Sequence, residues 1–183
     1  MMSSEEKLKE FAAVIQEQFH LNTGFSPVVD RMLDPGVRKS CEMNSCGAYG
    51  KNWMCPPHIG KVEDLIAKVK EHENILIFQG IYQLEDSFDF EGMMRGSAQF
   101  KEAFQKIAAL AREQLPEALI LGAGGCTLCP VCAVQTNEPC RFPDLAYPSV
   151  ESYGFQVSIL AQCCGLKYIN GANTVTYFGG ILI

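Results

Sequence analysis

The sequence has no long run of apolar residues. Its longest apolar stretches, such as the one at residues 75–78, are far shorter than the roughly 20 residues that a helix needs to cross a bilayer. The N-terminal segment carries acidic residues and helical spacing in place of a basic flank and an apolar core, so we predict no signal peptide there. These features predict a cytoplasmic protein with no membrane partner.

Basic residues and histidines are also few. The 183-residue chain has 15 Lys and Arg against 21 Asp and Glu, a formal net charge of −6, and no run of Lys or Arg. This balance argues against a broad phosphate-binding surface, so nucleic acid is not an expected partner. The 3 histidines form no H-x3–5-H pair, which removes one common half of a zinc site, and no Ser–His–Asp or Cys–His catalytic group is assignable.

Length and composition predict a single domain that spans residues 1–183. The chain is too short for two domains of ordinary size, and 48% hydrophobic with 20% charged residues is typical of a soluble globular protein. Ser3 and Glu6 form a capping-box pattern ahead of a first helix. Further helices are predicted after Gly60, at about residues 97–115 and at about residues 148–165, with a turn or a short helical excursion at residues 85–96.

Apolar, β-branched runs predict the strands. Those at residues 74–84 and 117–122 are typical of strands buried on both faces, residues 174–183 form a further strand, and Pro27 limits residues 25–33 to an edge strand or a loop. The alternation of strands and helices predicts an α/β fold, a sheet flanked by helices, with two cysteine-rich loops that converge on a metal site. We expect parallel strands, which would place both loops on the same side of the fold.

Cysteine is abundant, and most of it is clustered. Of the 9 cysteines, seven fall in a first cysteine loop, residues 41–58, and a second cysteine loop, residues 126–140, which lie in segments rich in Gly and Pro. Cytoplasmic thiols stay reduced, so clustered cysteines there more often bind metal or do redox chemistry than form disulfides. The candidate cofactor and metal ligands are Cys41, Cys46, Cys55, Cys126, Cys129, Cys132 and Cys140, with His58 as a further candidate.

The spacing in the second loop favours iron–sulfur over zinc. Structural zinc usually takes two separated pairs of ligands. The second loop instead begins with C-x2-C-x2-C, and bacterial ferredoxins use this triplet to hold three corners of a cubane, with a fourth cysteine from farther along the chain. We therefore predict one or more [4Fe-4S] clusters, with zinc as the alternative.

Seven thiolates allow three arrangements. The second loop could hold one cubane, while the first loop holds another whose fourth corner is open or is filled by His58 or a small molecule. The loops could instead exchange ligands, so that Cys55 or Cys140 crosses over, as in two-cluster ferredoxins. Alternatively, all seven could surround one larger fused cluster. Cys163 and Cys164 lie outside both loops, and we expect Cys164 to face the core and neither residue to bind metal.

Both loops carry further motif positions. The first reads C-x4-C-x2-Y-G-x2-W-x-C-P-P-H, and the second leads through P-C-R-x-P to P-S-x-E. These motifs resemble those of a prokaryotic family labelled predicted metal-binding proteins, a cysteine-rich domain of unknown function. The resemblance covers nearly the whole chain and implies metal binding, as iron–sulfur, but no substrate. Besides the cysteines, it rests on Tyr49, Gly50, Trp53, Pro56, Pro57, His58, Pro139, Arg141, Pro143, Pro148, Ser149 and Glu151.

These predictions favour an iron–sulfur protein that transfers electrons to or from a redox protein partner, or that supports a reductive reaction. Two alternatives belong to other classes. One is a zinc-stabilised structural or interaction module. The other is an iron–sulfur enzyme in which an open iron acts as a Lewis acid or a reductant.

Overall fold

Helices and strands alternate along the chain in the computed structural model, which describes residues 2–183. Met1 of the predicted domain therefore lies outside the described residues. The α/β fold class is confirmed, and all strands share one sheet. The helices are α1 (Ser4–Phe19), α2 (Arg38–Glu42), α3 (Val62–Val69), α4 (Phe90–Gln114) and α5 (Val157–Cys163), and the strands are β1 (Asn22–Pro27), β2 (Asn74–Gln83), β3 (Leu119–Leu121) and β4 (Thr174–Leu182).

The sheet is antiparallel throughout, in the order β1-β2-β4-β3. The expected parallel pairing is therefore wrong. Along β2, Ile75 and Ile77 face one layer of helices while Leu76 and Phe78 face the other, so the strand is buried on both sides. A continuous apolar run thus correctly predicted a two-sided burial, but burial does not specify the direction of the neighbouring strands.

Helices cover both faces of this sheet. α1 and α4 pack on one face, where Phe78 stacks on Phe100 and Phe104 with ring centroids 6.0 and 6.2 Å apart. α3 and α5 pack on the other face. The predicted capping box at Ser3 and Glu6 is present at the start of α1. β1 is an edge strand, as Pro27 indicated, but it ends at Pro27, so most of the predicted segment at residues 25–33 lies beyond it. None of the helices found in residues 2–183 is long and apolar enough to cross a membrane.

α4 begins earlier than the sequence indicated. The prediction gave a turn or a short helical excursion at residues 85–96 and a separate helix from about Ser97, whereas one continuous helix begins at Phe90. Gly96 lies on its buried face, where an added Cβ would come within 2.9 Å of Tyr82 Cγ. The glycines of this segment suggested a turn, but in the fold a missing side chain lets the helix approach β2 closely.

The last predicted helix is interrupted. A 3-10 turn at Glu151–Tyr153 is followed by Gly154, whose φ of +83° breaks the helical path, and α5 begins only at Val157. Four side chains along this segment are buried nevertheless, Cys164 among them as predicted. They are Val150, Val157, Leu160 and Cys164.

The strand directions bring both cysteine loops to one end of the sheet. β2 and β3 both run antiparallel to β4, so they point the same way, and the second loop follows the end of β3. At that end, Gly122 forms a bridge with Ser149. The first loop ends where α3 begins, and the Val62 and Ile66 side chains of α3 lie against Gly154, close to the same bridge.

Candidate metal centre

The first cysteine loop begins on a helix rather than in irregular structure. Arg38–Glu42, predicted as loop, form α2, which carries Cys41. The Arg38 guanidinium donates hydrogen bonds to the backbone oxygens of Gly60, at 2.8 Å, and of Ser152, at 3.2 Å. One side chain therefore ties both ends of the first loop to the segment that follows β3.

Left-handed turns fold the middle of the first loop back on itself. Asn44 and Gly50 have φ values of +54° and +71°, a region that favours asparagine and glycine. As a result Cys46 and Cys55 come to line the same cleft as Cys41. We call these three cysteines the three-thiol set.

The cleft beside the three-thiol set has a volume of about 450 Å³. Its other walls come from the Gly124–Gly125 backbone, the turn at Glu151–Tyr153 and the start of α5. Burial raises the pKa of the Cys41 thiol and that of the Cys55 thiol, the latter to about 11, and the neighbouring thiols act in the same direction. The three thiols are thus close enough to influence one another electrostatically.

The second cysteine loop forms a separate, smaller cavity. Burial raises the pKa of the Cys126 thiol, and the thiols of the other three cysteines of the loop raise it further. Arg141 closes the loop by donating a hydrogen bond to the backbone oxygen of Val131, at 2.9 Å. The cavity is lined by Cys126, Cys129, Cys132 and Cys140, which we call the four-thiol set.

The two loops pack directly against each other. Asn52, which is 7% exposed, donates from Nδ2 to the Cys126 backbone oxygen at 2.7 Å and accepts from the Met54 N–H at 2.9 Å. Trp53 donates from Nε1 to the Glu138 backbone oxygen at 3.0 Å, and it lines the four-thiol cavity. The two loops therefore lie on the same side of the fold, as predicted, although the sheet is antiparallel.

Lys101 of α4 was not predicted to belong to the site. Its Nζ donates to the Gly125 backbone oxygen at 3.0 Å and lies 3.5 Å from Thr127 Oγ1. Burial lowers the pKa of Lys101, while the nearby Cys126 and Cys55 thiols act in the opposite direction. Its ammonium group therefore lies close to both thiol sets. No local motif marks Lys101, because its partners belong to a loop that only the fold brings next to α4.

His58, the further candidate ligand, is engaged elsewhere. One ring nitrogen lies 3.2 Å from the Gly50 backbone oxygen, and the ring packs edge-on against Trp53 with centroids 5.5 Å apart. Of the residues that the structure describes, those lining the two cysteine cavities do not include His58. We therefore leave His58 out of the ligands proposed below.

Glu151 faces the cleft from the wall opposite the first loop. A compact turn holds it, in which the Ser152 N–H donates to Ser149 Oγ at 3.2 Å and Ser152 Oγ donates to the Ser149 backbone oxygen at 2.7 Å. Glu151 lines the cleft and keeps solvent-exposed surface, and desolvation by the surrounding protein raises the pKa of its carboxyl group, while hydrogen bonds from its own backbone N–H and the Ser149 side chain act in the opposite direction. The P-S-x-E motif, which carried only a resemblance in the sequence, thus builds one wall of the cleft.

All nine cysteines lie within the described residues and are free thiols. Cys164 is 7% exposed and packs in the core between the sheet and α5, and burial raises its pKa to about 12. Cys163 is partly exposed at the end of α5. Neither residue is among those that line the two cysteine cavities within residues 2–183.

Replacing Cys164 by Ala is expected to lower the free energy of unfolding by about 1 kcal/mol or somewhat more, because buried volume is lost. The metal content should stay unchanged, and Cys163→Ser should alter neither quantity. Chemical denaturation combined with metal analysis measures both effects. If either variant lost metal while its fold stayed intact, the replaced cysteine would instead be shown to supply an eighth thiolate.

The comparison with protein families covers both loops. A family model described as "Predicted metal-binding protein (DUF2284)" matches residues 29–183. The chain belongs to this family. The match includes both cysteine loops, the P-S-x-E segment and every strand except β1, so the resemblance inferred from the motifs is confirmed. No curated protein and no solved structure shows a significant match to the chain.

Membership of the DUF2284 family identifies the chain with a predicted metal-binding protein but does not name the metal. Within the described part of this family member, no three His, Cys, Asp or Glu side chains are placed to hold a single metal ion. The seven loop cysteines form two adjoining sets instead.

Proposed function

We propose that this chain is an iron–sulfur protein that exchanges electrons with a redox protein partner. In this proposal the four-thiol set holds one [4Fe-4S] cluster, and the three-thiol set holds a second whose fourth coordination position faces the cleft. The division of seven thiols into two adjoining sets with different surroundings is the observation that supports it. When bound, such clusters supply one-electron transfer.

The donor chemistry fits iron–sulfur clusters. Thiolates are the preferred ligands of Fe–S clusters and also suit zinc, so only the spacing of the thiols can distinguish a cluster site from a zinc site. Thiolates around a single zinc, at a Zn–S distance of about 2.3 Å, lie only about 3.8 Å apart in a tetrahedron. A cubane holds each thiolate on a different iron and therefore needs them farther apart. The C-x2-C-x2-C spacing within the four-thiol set, which bacterial ferredoxins use to hold three corners of a cubane, favours the larger group.

The surroundings of the four-thiol set suit a negatively charged, water-shielded cluster. Trp53 and Phe142 line this cavity with aromatic surface, which limits the access of water. Lys101 and Arg141 place positive charge near the thiols. Charge, hydrogen bonding and solvent exposure are the properties by which a protein sets the potential of a cluster.

A protein partner is supported by exposed apolar side chains around the four-thiol set. Val131, Phe142 and Leu145 are 55%, 44% and 44% exposed. Single exposed apolar residues are ordinary, but several around one site mark a contact surface. Electron-transfer complexes use small interfaces, so a patch of this kind suffices for a transient encounter.

Protein purified without oxygen, or reconstituted with iron and sulfide, is expected to be brown and to contain about eight irons and a matching amount of sulfide per chain. Metal analysis, sulfide analysis and the electron paramagnetic resonance spectrum of the reduced protein measure this. Stoichiometric zinc without sulfide, even after reconstitution, would contradict the proposal and favour a zinc-stabilised structural module. Cys163→Ser protein serves as the matched control and should load like the wild type.

An iron–sulfur enzyme is the second candidate function, and the cleft is the specific observation that favours it. A protein that only transfers electrons needs no open space of about 450 Å³ beside one of its thiol sets.

A further inference from the structure

The cleft is built differently from the cavity of the four-thiol set. The four-thiol cavity is small and enclosed, whereas the cleft is open and has a volume of about 450 Å³. An apolar cavity of roughly 150 Å³ already accepts a benzene molecule, and ligand sites commonly measure about 300–1,000 Å³. The cleft therefore has the size of a binding site for a small organic molecule.

The charge of the cleft restricts what it can bind. Among the described residues that line it, Glu151 is the only Asp, Glu, Lys, Arg or His. Lys101 contacts the backbone of Gly125 but is not part of the cleft lining. Arg38 also lies outside the lining, where it donates to the Gly60 and Ser152 backbone oxygens. An anion would thus meet a carboxyl group and thiols directly, with both cations held outside the cleft lining, which is unfavourable. An uncharged or cationic molecule meets no such penalty.

The remaining lining supplies a mixed polar and apolar surface. Val37 and Tyr168, which are partly exposed, supply apolar surface, and Tyr49, Gln156 and Ser158 offer hydroxyl and amide groups. A surface of this composition binds the apolar body of a ligand and orients it through a few hydrogen bonds.

The position of Glu151 is fixed from two directions. Its turn is closed by the hydrogen bonds between Ser149 and Ser152, and the Ser152 backbone oxygen accepts a hydrogen bond from Arg38, which stands three residues before Cys41. The turn that carries Glu151 and the helix that carries Cys41 are therefore held in a fixed relative position by direct contacts. Such preorganisation is a requirement for a group that recognises a ligand, and the exposed Glu151 side chain is accessible to one.

We propose that the cleft binds a small uncharged or cationic organic molecule beside the three-thiol set, and that Glu151 accepts a hydrogen bond from its ammonium, N–H or O–H group. The proximity of this molecule to a cluster rests on the proposed function, whereas the choice of ligand class rests on the cleft alone. Neither the sequence motifs nor the family match assigns an organic ligand to this cleft.

Three probes of equal size and different charge test the ligand class: para-fluorobenzylamine, para-fluorobenzyl alcohol and para-fluorobenzoate. Fluorine NMR is recorded on the anaerobic, cluster-loaded protein before and after reduction to the paramagnetic state. The amine and the alcohol are expected to bind, and their fluorine resonances should broaden when the protein is reduced. The amine should bind at least about tenfold more tightly than the benzoate. Benzoate binding as tight as that of the amine would overturn the proposal.

Substitutions test the role of Glu151. Glu151→Gln should weaken amine binding about tenfold and alter alcohol binding less than about twofold. Glu42→Gln is the matched control, because Glu42 adjoins Cys41 but does not line the cleft, and it should change neither. An equal loss in both variants would refute a direct contact. Ser158→Trp, at an exposed position of α5 in the cleft wall, should block all probes, whereas Gln162→Trp on the same helix should not.

The two proposals fail in different ways. Protein that holds the expected iron and sulfide but binds none of the probes would overturn the cleft inference and leave the proposed function standing. Protein without sulfide in which the amine still binds, with an affinity that depends on Glu151, would overturn the proposed function and leave the ligand site standing.

Discussion

Replacing Cys129 by Ala is expected to remove about half of the iron and sulfide, and replacing Cys46 by Ala is expected to remove the other half. Cys129 belongs to the four-thiol set and Cys46 to the three-thiol set, and the two sets line separate cavities. The double variant that combines Cys129→Ala with Cys46→Ala should contain almost no iron or sulfide. Iron and sulfide analysis, together with the paramagnetic resonance spectra of the reduced proteins, measures these losses.

The same variants distinguish the three arrangements that the sequence allowed. Complete loss of iron from either single variant would indicate one fused cluster. If Cys55→Ala reproduced the spectrum of Cys129→Ala instead of that of Cys46→Ala, Cys55 would cross over to the four-thiol set, as in a ligand exchange. Cys163→Ser, which alters a cysteine outside both loops, controls for the handling of the protein.

Replacing Asn52 by Leu is expected to lower the free energy of unfolding by about 2–4 kcal/mol, since two backbone groups lose their partner. Asn52 is almost fully buried, and its side chain serves the Cys126 oxygen and the Met54 N–H at once. Leucine has a similar volume but replaces neither hydrogen bond. Because this contact joins the two loops, metal retention by the loaded protein should fall as well. Chemical denaturation and timed metal release measure the two effects.

Gln135→Leu is the matched control for this prediction. Gln135 also joins the loops through a side-chain amide, which donates to the Lys51 backbone oxygen at 3.3 Å, but this contact is exposed and water can replace it. Its loss should cost less than about 0.5 kcal/mol. Equal destabilisation by the two substitutions would mean that burial of the Asn52 amide is not what makes the contact strong.

Several elements could be predicted because their cause is local. The capping box of α1 needs only Ser3 and Glu6, and the burial of β2 is visible in ten consecutive residues. The α4 glycines misled the prediction for the opposite reason. Gly96 is required by the Tyr82 side chain of a neighbouring strand, and no local pattern contains that contact.

The sequence by itself determined which seven cysteines belong to the two loops, since their spacing and their Gly and Pro neighbours lie within short segments. Only the tertiary structure decided how these thiols divide, because that depends on turns at Asn44 and Gly50 and on the packing of one loop against the other. Asn52, Lys101 and Glu151 likewise acquire their positions from partners distant in the chain. Spacing along a sequence specifies the kind of metal ligand, whereas the surroundings that set charge, access and ligand choice arise only when separate segments meet.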